Sequence, residues 1–319
     1  MNFYPMKLTA PCKDYLWGGN RLRNEYGKTS DADKIAESWE LSCHKDGQSV
    51  IANGEFKGKT LSEFVDKLGK EVLGDNCKKF ENFPILIKLI DAKDNLSVQV
   101  HPNNDYALRV EGEYGKTEMW YIVDCDPGAE LLYGFKHNIS KEEFESRIKD
   151  NTLLEVTNNV PVHKGDVFFI ESGTLHAIGK GILIAEIQQN SNTTYRIYDY
   201  GRVGADGKPR QLHVEKAVEV TELTPPKYPT KAMGEVIRKD GYTVQLLSKC
   251  EYFRVNKAQV DTKCDLEADS ASFNSVLVIE GKGTIDGVEL KKGDSCFIPA
   301  GYGKYTFEGK AELIVTDIE

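Results

Sequence analysis

No run of apolar side chains in this chain approaches the twenty residues that a membrane-spanning helix needs, although 40% of its 319 residues are hydrophobic. It therefore reads as a soluble globular protein with room for about two domains. The seven cysteines include no Cys-x-x-Cys pair, and an odd number of scattered thiols reads as reduced rather than as a disulfide framework. The segment Met1-Asn2-Phe3-Tyr4-Pro5-Met6-Lys7 lacks an apolar core followed by a small-residue cleavage site, so no secretion signal is expected. The expected compartment is the cytoplasm. Basic residues are in deficit, 41 Lys and Arg against 50 Asp and Glu, and the formal charge of −9 argues against nucleic acid or an anionic membrane surface as a partner. A small anionic substrate is compatible with that charge if the site is locally basic.

What the chain does contain is a repeat. Gly165-Asp166-Val167-Phe168-Phe169-Ile170-Glu171-Ser172-Gly173-Thr174-Leu175-His176 shares its spacing with Gly293-Asp294-Ser295-Cys296-Phe297-Ile298-Pro299-Ala300-Gly301-Tyr302-Gly303-Lys304. In each, Gly-Asp opens a turn, an apolar strand follows, and a small-residue turn delivers one side chain, His176 or Lys304. This pattern implies a duplicated module of which one copy has lost a histidine.

Short strands dominate the rest: Phe83 to Ile90, Leu96 to Val100, Met119 to Val123 and Ile182 to Ile187, then Tyr242 to Leu247, Phe253 to Val260, Phe273 to Glu280 and Leu313 to Thr316. Turns are expected at Gly281-Lys282-Gly283 and Asp286-Gly287. Two capping boxes, Thr60-Leu61-Ser62-Glu63 and Ser140-Lys141-Glu142-Glu143, predict helices running through Phe64 to Leu73 and Phe144 to Ile148. The second would be a helical insertion in the first barrel. Pro225, Pro226 and Pro229 stop any regular element, which places a domain boundary there and predicts domains 1–228 and 229–319.

The chemistry-bearing residues follow from strand periodicity. In Leu96-Ser97-Val98-Gln99-Val100-His101, alternation puts Ser97, Gln99 and His101 on one face; in Gly115-Lys116-Thr117-Glu118-Met119-Trp120, it groups Lys116, Glu118 and Trp120. With His176 added, Gln99, His101, Glu118 and His176 make a two-nitrogen, two-oxygen set suited to Zn²⁺ with positions left for water or substrate oxygens. Trp120 reads as barrel core, and His44, His137, His163 and His213 as surface or packing residues. Glu186 lies in the apolar strand Ile182-Leu183-Ile184-Ala185-Glu186-Ile187, where an inward carboxylate is costly unless paired or functional.

The spacing Gly165-x5-Glu171-x-Gly173-x2-His176 resembles the second cupin motif, with Glu where many cupins carry Pro; Gly293-x5-Pro299-x-Gly301 repeats it with the Pro and without the His. Ser97-Val98-Gln99-Val100-His101-Pro102, Gly115-Lys116-Thr117-Glu118-Met119-Trp120-Tyr121 and Tyr195-Arg196-Ile197-Tyr198-Asp199-Tyr200-Gly201-Arg202 together resemble the type I mannose-6-phosphate isomerases in their short bacterial form. The likeness extends from about Pro11 to the C-terminus. It implies a mainly β fold of two cupin-type jelly-roll barrels with a small helical insertion in the first. It implies zinc on Gln99, His101, Glu118 and His176, a sugar phosphate held by Ser97 and Lys88, and catalytic roles for Glu186 and Arg196. A second barrel without metal would support the first. The large helical domain of the longer eukaryotic forms is missing here.

Aldose–ketose interconversion moves a proton between C2 and C1 through an enediolate. Glu186 is the first candidate for proton carrier and Lys116 the second, with Arg196 near the developing charge and Lys88, Lys116, Arg196 and Arg202 supplying local positive charge. Taken from residues alone, Arg196 with Asp199 also reads as a barrel salt bridge and Lys88 as a strand-edge charge. The alternatives are another cupin enzyme, either a different sugar-phosphate isomerase or an iron dioxygenase, and a non-enzymatic sugar-binding bicupin.

Overall fold

In the computed structural model, which describes residues 3–204 and 207–319, the repeated Gly-Asp turn is built in the same way in both copies. Gly165 and Gly293 have φ of +94° and +86°, a conformation open to glycine and strained for residues with a Cβ. Gly165 N–H donates to Ile122 O at 2.8 Å while Asp166 O accepts from Ile122 N–H at 2.9 Å; Gly293 and Asp294 make the same two bonds with Val278 at the same lengths. The aspartate side chains close both turns, Asp166 Oδ2 on His163 N–H at 2.8 Å and Asp294 Oδ2 on Lys291 N–H at 2.9 Å. The strands that follow, Val167–Ile170 and Ser295–Ile298, each end opposite a polar residue: Ile170 pairs with Glu118 and Ile298 with Asn274.

The chain divides into two compact units, one of Met1–Asp14, Asn20–Leu89 and Lys231–Glu319, the other of Tyr15–Gly19 and Ile90–Thr230. The first is organised around a ten-stranded sheet in which the long strand Gly303–Asp317 pairs with Arg254–Val260, Lys263–Ala268 and Asn274–Ile285. Strand Met6–Thr9 adds to its Ser295–Ile298 edge. Asp286 and Gly287, with φ of +47° and +82°, turn Ile285 back onto Val288 as the Asp-Gly pair predicts. Gly281 and Gly283, expected as a turn, lie instead inside the continuous strand Asn274–Ile285. The register slips between Val278 and Glu280, and a Cβ on Gly281 would stand 2.1 Å from Lys310 O, so glycine here serves a bulge.

The Thr60 capping box forms in both directions and starts helix Leu61–Leu68; Gly69, at φ +88°, ends it, and the chain continues as a separate 3₁₀ turn over Lys70–Leu73. The interior of the C-terminal copy is filled by a buried cluster that includes Cys264, Val276, Cys296, Tyr305, Phe307 and Leu313. Asn274 donates there to Tyr305 OH and to Glu267 O, each at 2.8 Å. Lys304, which the spacing aligns with His176, is exposed and pairs with Glu267 along the sheet. One step of strand alternation gives the inward position to Tyr305 instead.

The second unit carries a five-stranded sheet, ordered Thr157–Pro161, Glu130–Phe135, His176–Ala177, Val98–Val100 and Tyr195–Tyr198, and the consecutive strands Val167–Ile170, Glu118–Cys125 and Ile182–Gln189. The fold is mainly β and of cupin type, with sheets left open rather than closed into continuous barrels. Helix Lys141–Lys149 is inserted between Glu130–Phe135 and Thr157–Pro161. Ser140 Oγ accepts from Glu143 N–H at 3.1 Å, whereas the Glu143 carboxylate takes Arg147 Nε at 2.8 Å rather than completing the box. Phe144 anchors this helix in an apolar cluster with Val98, Val100, Phe135 and Ala177. Two short helices not anticipated from the sequence, Asn104–Val110 and Val214–Val220, add Ala107 and Ala217 to the buried residues of this unit. Burying Val98, Val100 and Ala177 on this side turns Gln99 and His176 to the opposite face.

Candidate active site

Strand register assembles the polar cluster. His176 is directly opposite Gln99, and Gln99 is opposite Arg196, which sets three polar side chains in one row of the five-stranded sheet. In the other strands Glu118 is opposite Gln188 and Trp120 opposite Glu186, so these four share a face. His101 follows the Val98–Val100 strand and is held by its own backbone, whose carbonyl accepts from Gly173 N–H at 2.8 Å.

The ligand atoms of His101, Glu118 and His176 all lie within 4.8 Å of one another, and all three residues are buried. His176 Nε2 is 3.5 Å from Glu118 Oε1, and His101 Nε2 is 3.8 Å from Glu118 Oε2. Each imidazole is oriented by a backbone carbonyl: His101 Nδ1 donates to Thr193 O at 2.9 Å and His176 Nδ1 to Thr174 O at 2.8 Å. A carbonyl only accepts, so the proton of each neutral ring sits on Nδ1 and the Nε2 lone pairs are aimed inward, the arrangement that metal-ligating histidines use. Burial pushes the His176 pKa down to about 4, which keeps the ring neutral and able to ligate at neutral pH. Gln99 Nε2 is 3.4 Å from His176 Nε2, and Ser97 Oγ donates to Gln99 Oε1 at 3.3 Å. A half-turn of that amide exchanges oxygen and nitrogen, presenting Oε1 to the cluster while Nε2 donates to Ser97. The four residues thus fit a divalent cation.

Lys116 sits among these groups, nearly inaccessible, with Nζ 2.7 Å from Glu118 Oε2, 3.2 Å from His101 Nε2 and 3.6 Å from Glu186 Oε1. Within this group two buried carboxylates face one ammonium, and burying unbalanced charge is costly. A bound cation would offset that excess. Glu186 Oε2 also accepts the Trp120 indole N–H at 3.0 Å.

Arg196 does not pair with Asp199, contrary to the salt-bridge reading. Its Nη1 donates to Gln211 O at 2.9 Å, and its Nε is buried without a hydrogen-bond partner among the described residues. Burial, with neighbouring Arg210, lowers its pKa. Asp199 instead gathers Arg202 and Arg210, the latter through Nε at 2.7 Å and Nη2 at 2.5 Å, and Arg202 also reaches Asn95 O. Lys88, on strand Ile85–Ala92, is buried rather than a strand-edge charge. Its Nζ lies 3.6 Å from Glu37 Oε2 and 5.3 Å from the Trp39 ring centre. The Thr174 and Thr193 carbonyls and Arg210 escaped the sequence reading: a carbonyl carries no side-chain signal, and Arg210 shares no strand periodicity with the cluster. Trp120 was visible on the Glu118 face but read only as core. A cleft of about 590 Å³ in the same unit, bordered by Lys93, Asn95, Asp126, Glu130, Lys180 and Tyr200, includes none of the cluster, so cavity size does not identify the site.

Comparison with known proteins gives a concordant picture. Residues 6–119 match the family model of the phosphomannose isomerase type I catalytic domain, and residues 243–318 that of the mannose-6-phosphate isomerase cupin domain. The chain is 41% identical to mannose-6-phosphate isomerase ManA of Bacillus subtilis, with 100% of both chains covered. It is 39% identical to mannose-6-phosphate isomerase of Streptococcus mutans over 98% of each. Among solved structures, mannose 6-phosphate isomerase from Bacillus subtilis superposes with a TM-score of 0.91 at 38% identity, covering 98% of this chain and 99% of the other.

Proposed function

The chain belongs to the type I mannose-6-phosphate isomerases, and we propose that, as an aldose–ketose isomerase of that family, it interconverts mannose 6-phosphate and fructose 6-phosphate with zinc on Gln99, His101, Glu118 and His176. The observation that carries the metal assignment is the inward aim of two neutral Nε2 atoms at one buried carboxylate, each ring braced by a backbone carbonyl. When bound, zinc supplies Lewis-acid stabilisation of the negative charge that builds on the sugar oxygens. The protein's own groups do the rest. Glu186 takes the proton from C2 as the C2–H electron pair forms the double bond of the enediolate, and returns it to C1; the hydroxyl proton of O2 passes to O1. Lys116, in reach of both carboxylates, offsets part of their charge and is the second candidate for carrier. Arg196, with its buried Nε in need of an acceptor, stabilises the enediolate charge. The family resemblance makes Ser97 and Lys88 the candidates for binding the phosphate.

The deciding experiment is conversion of mannose 6-phosphate by metal-stripped protein before and after adding Zn²⁺, with His176→Ala as control. Activity restored by zinc in the parent and absent in the variant supports the reading. No turnover with zinc bound points to a different hexose phosphate or to a binding protein.

A further inference from the structure

Trp120 is fully buried, and its one polar atom points at a carboxylate rather than at a backbone carbonyl. The indole stands directly across the strand pair from Glu186 and donates to Oε2 at 3.0 Å, while Oε1 lies 3.6 Å from Lys116 Nζ. The same ring packs edge-on against His176, with ring centres 5.3 Å apart at 79°. One side chain therefore touches both a candidate metal ligand and the candidate proton carrier. A carboxylate that must serve two adjacent carbons needs a fixed plane, and a terminal carboxyl torsion is soft unless both oxygens are held. A neutral N–H holds one oxygen without placing a second positive charge against it, as another lysine would.

We propose that Trp120 is a positioning residue for the isomerisation: its indole N–H fixes the Glu186 carboxylate in the plane from which it reaches the sugar carbons. This rests on the reading of Glu186 as proton carrier. Trp120→Phe keeps an aromatic ring at this position and removes the N–H donor, together with part of the indole's volume. In the zinc-loaded protein it lowers kcat about 10- to 100-fold, as small misplacements of reacting groups do. KM for mannose 6-phosphate and zinc per chain stay at parent values, and fructose 6-phosphate formed in D₂O carries more solvent deuterium at C1 because a loosened carboxylate exchanges its proton before returning it. Core packing alone would not divide kcat from KM in this way. An unchanged kcat in Trp120→Phe, alongside an inactive Glu186→Gln, overturns the proposal and leaves the Glu186 reading intact. A fully active Glu186→Gln overturns both. Should Trp120→Phe fail to fold, the contact is read in the parent sequence: the chain has three tryptophans, so the Trp120 indole N–H resonance is assignable, and Glu186→Gln moves it upfield. A resonance indifferent to Glu186→Gln overturns the proposal.

Discussion

Glu118 and Asn274 occupy the same register position in the two copies of the repeat, opposite Ile170 and Ile298 respectively. One copy places a carboxylate there among imidazoles. The other places an amide that donates to a tyrosine hydroxyl at 2.8 Å and seals an apolar interior. The exchange of a carboxylate for a shorter, neutral amide separates a polar cluster from a packed core.

The sealing bond has a measurable value. Tyr305→Phe removes the acceptor and leaves the Asn274 amide with Glu267 O. Loss of one buried hydrogen bond costs about 1 kcal/mol. Urea unfolding of the variant should show a lower midpoint with an unchanged slope; an unchanged midpoint would mean the bond contributes nothing.

Removing a ligand should be far more severe for activity than for folding. His176→Ala is expected to weaken zinc binding by more than the roughly 10- to 100-fold seen when groups supporting ligands are lost, with turnover falling in step. Zinc per chain after dialysis, measured with activity on the same samples, checks this. Retained zinc at parent stoichiometry would remove His176 from the set.

The buried imidazole also predicts a pH dependence of the metal-free protein. The His176 pKa is about 4 in the folded chain because burial opposes its charge, against roughly 6.5 in an unfolded one. Above pH 6.5 neither state binds the proton and this residue contributes no slope. As pH falls from 6.5 towards 4 only the unfolded chain gains it, so stability declines across that window. His176→Asn should flatten this decline in pH-resolved unfolding curves; an equally steep decline in the variant refutes the assignment.

Lys88→Ala is expected to raise KM for the sugar phosphate about tenfold, the scale of one charge-assisted hydrogen bond, with a smaller change in kcat. Because Lys88 is buried within 3.6 Å of Glu37, the variant should also unfold at lower temperature. A KM equal to that of the parent takes Lys88 out of the phosphate site.

Much of the candidate site was legible because its signals are local. Alternation turned Gln99 away from Val98 and Val100, while His101, one residue beyond the strand, is placed by its backbone bond to Gly173; the Gly165 and Gly293 turns were visible since a positive φ and an aspartate side chain act within three residues. The Thr60 capping box was legible for the same reason, whereas Ser140 formed only half of its box because Arg147, four residues on, took the Glu143 carboxylate.

What the sequence by itself determined is most of the strand and turn pattern, the duplication, the side-chain types of the candidate cluster and the family. Tertiary structure alone decided that Tyr305 rather than Lys304 turns inward, that Asp199 gathers Arg202 and Arg210 rather than Arg196, and that Trp120 meets Glu186. The reason is register. A one-residue slip exchanges the faces of a strand, and the choice between slips depends on how much apolar surface distant strands bury together, which no single segment encodes.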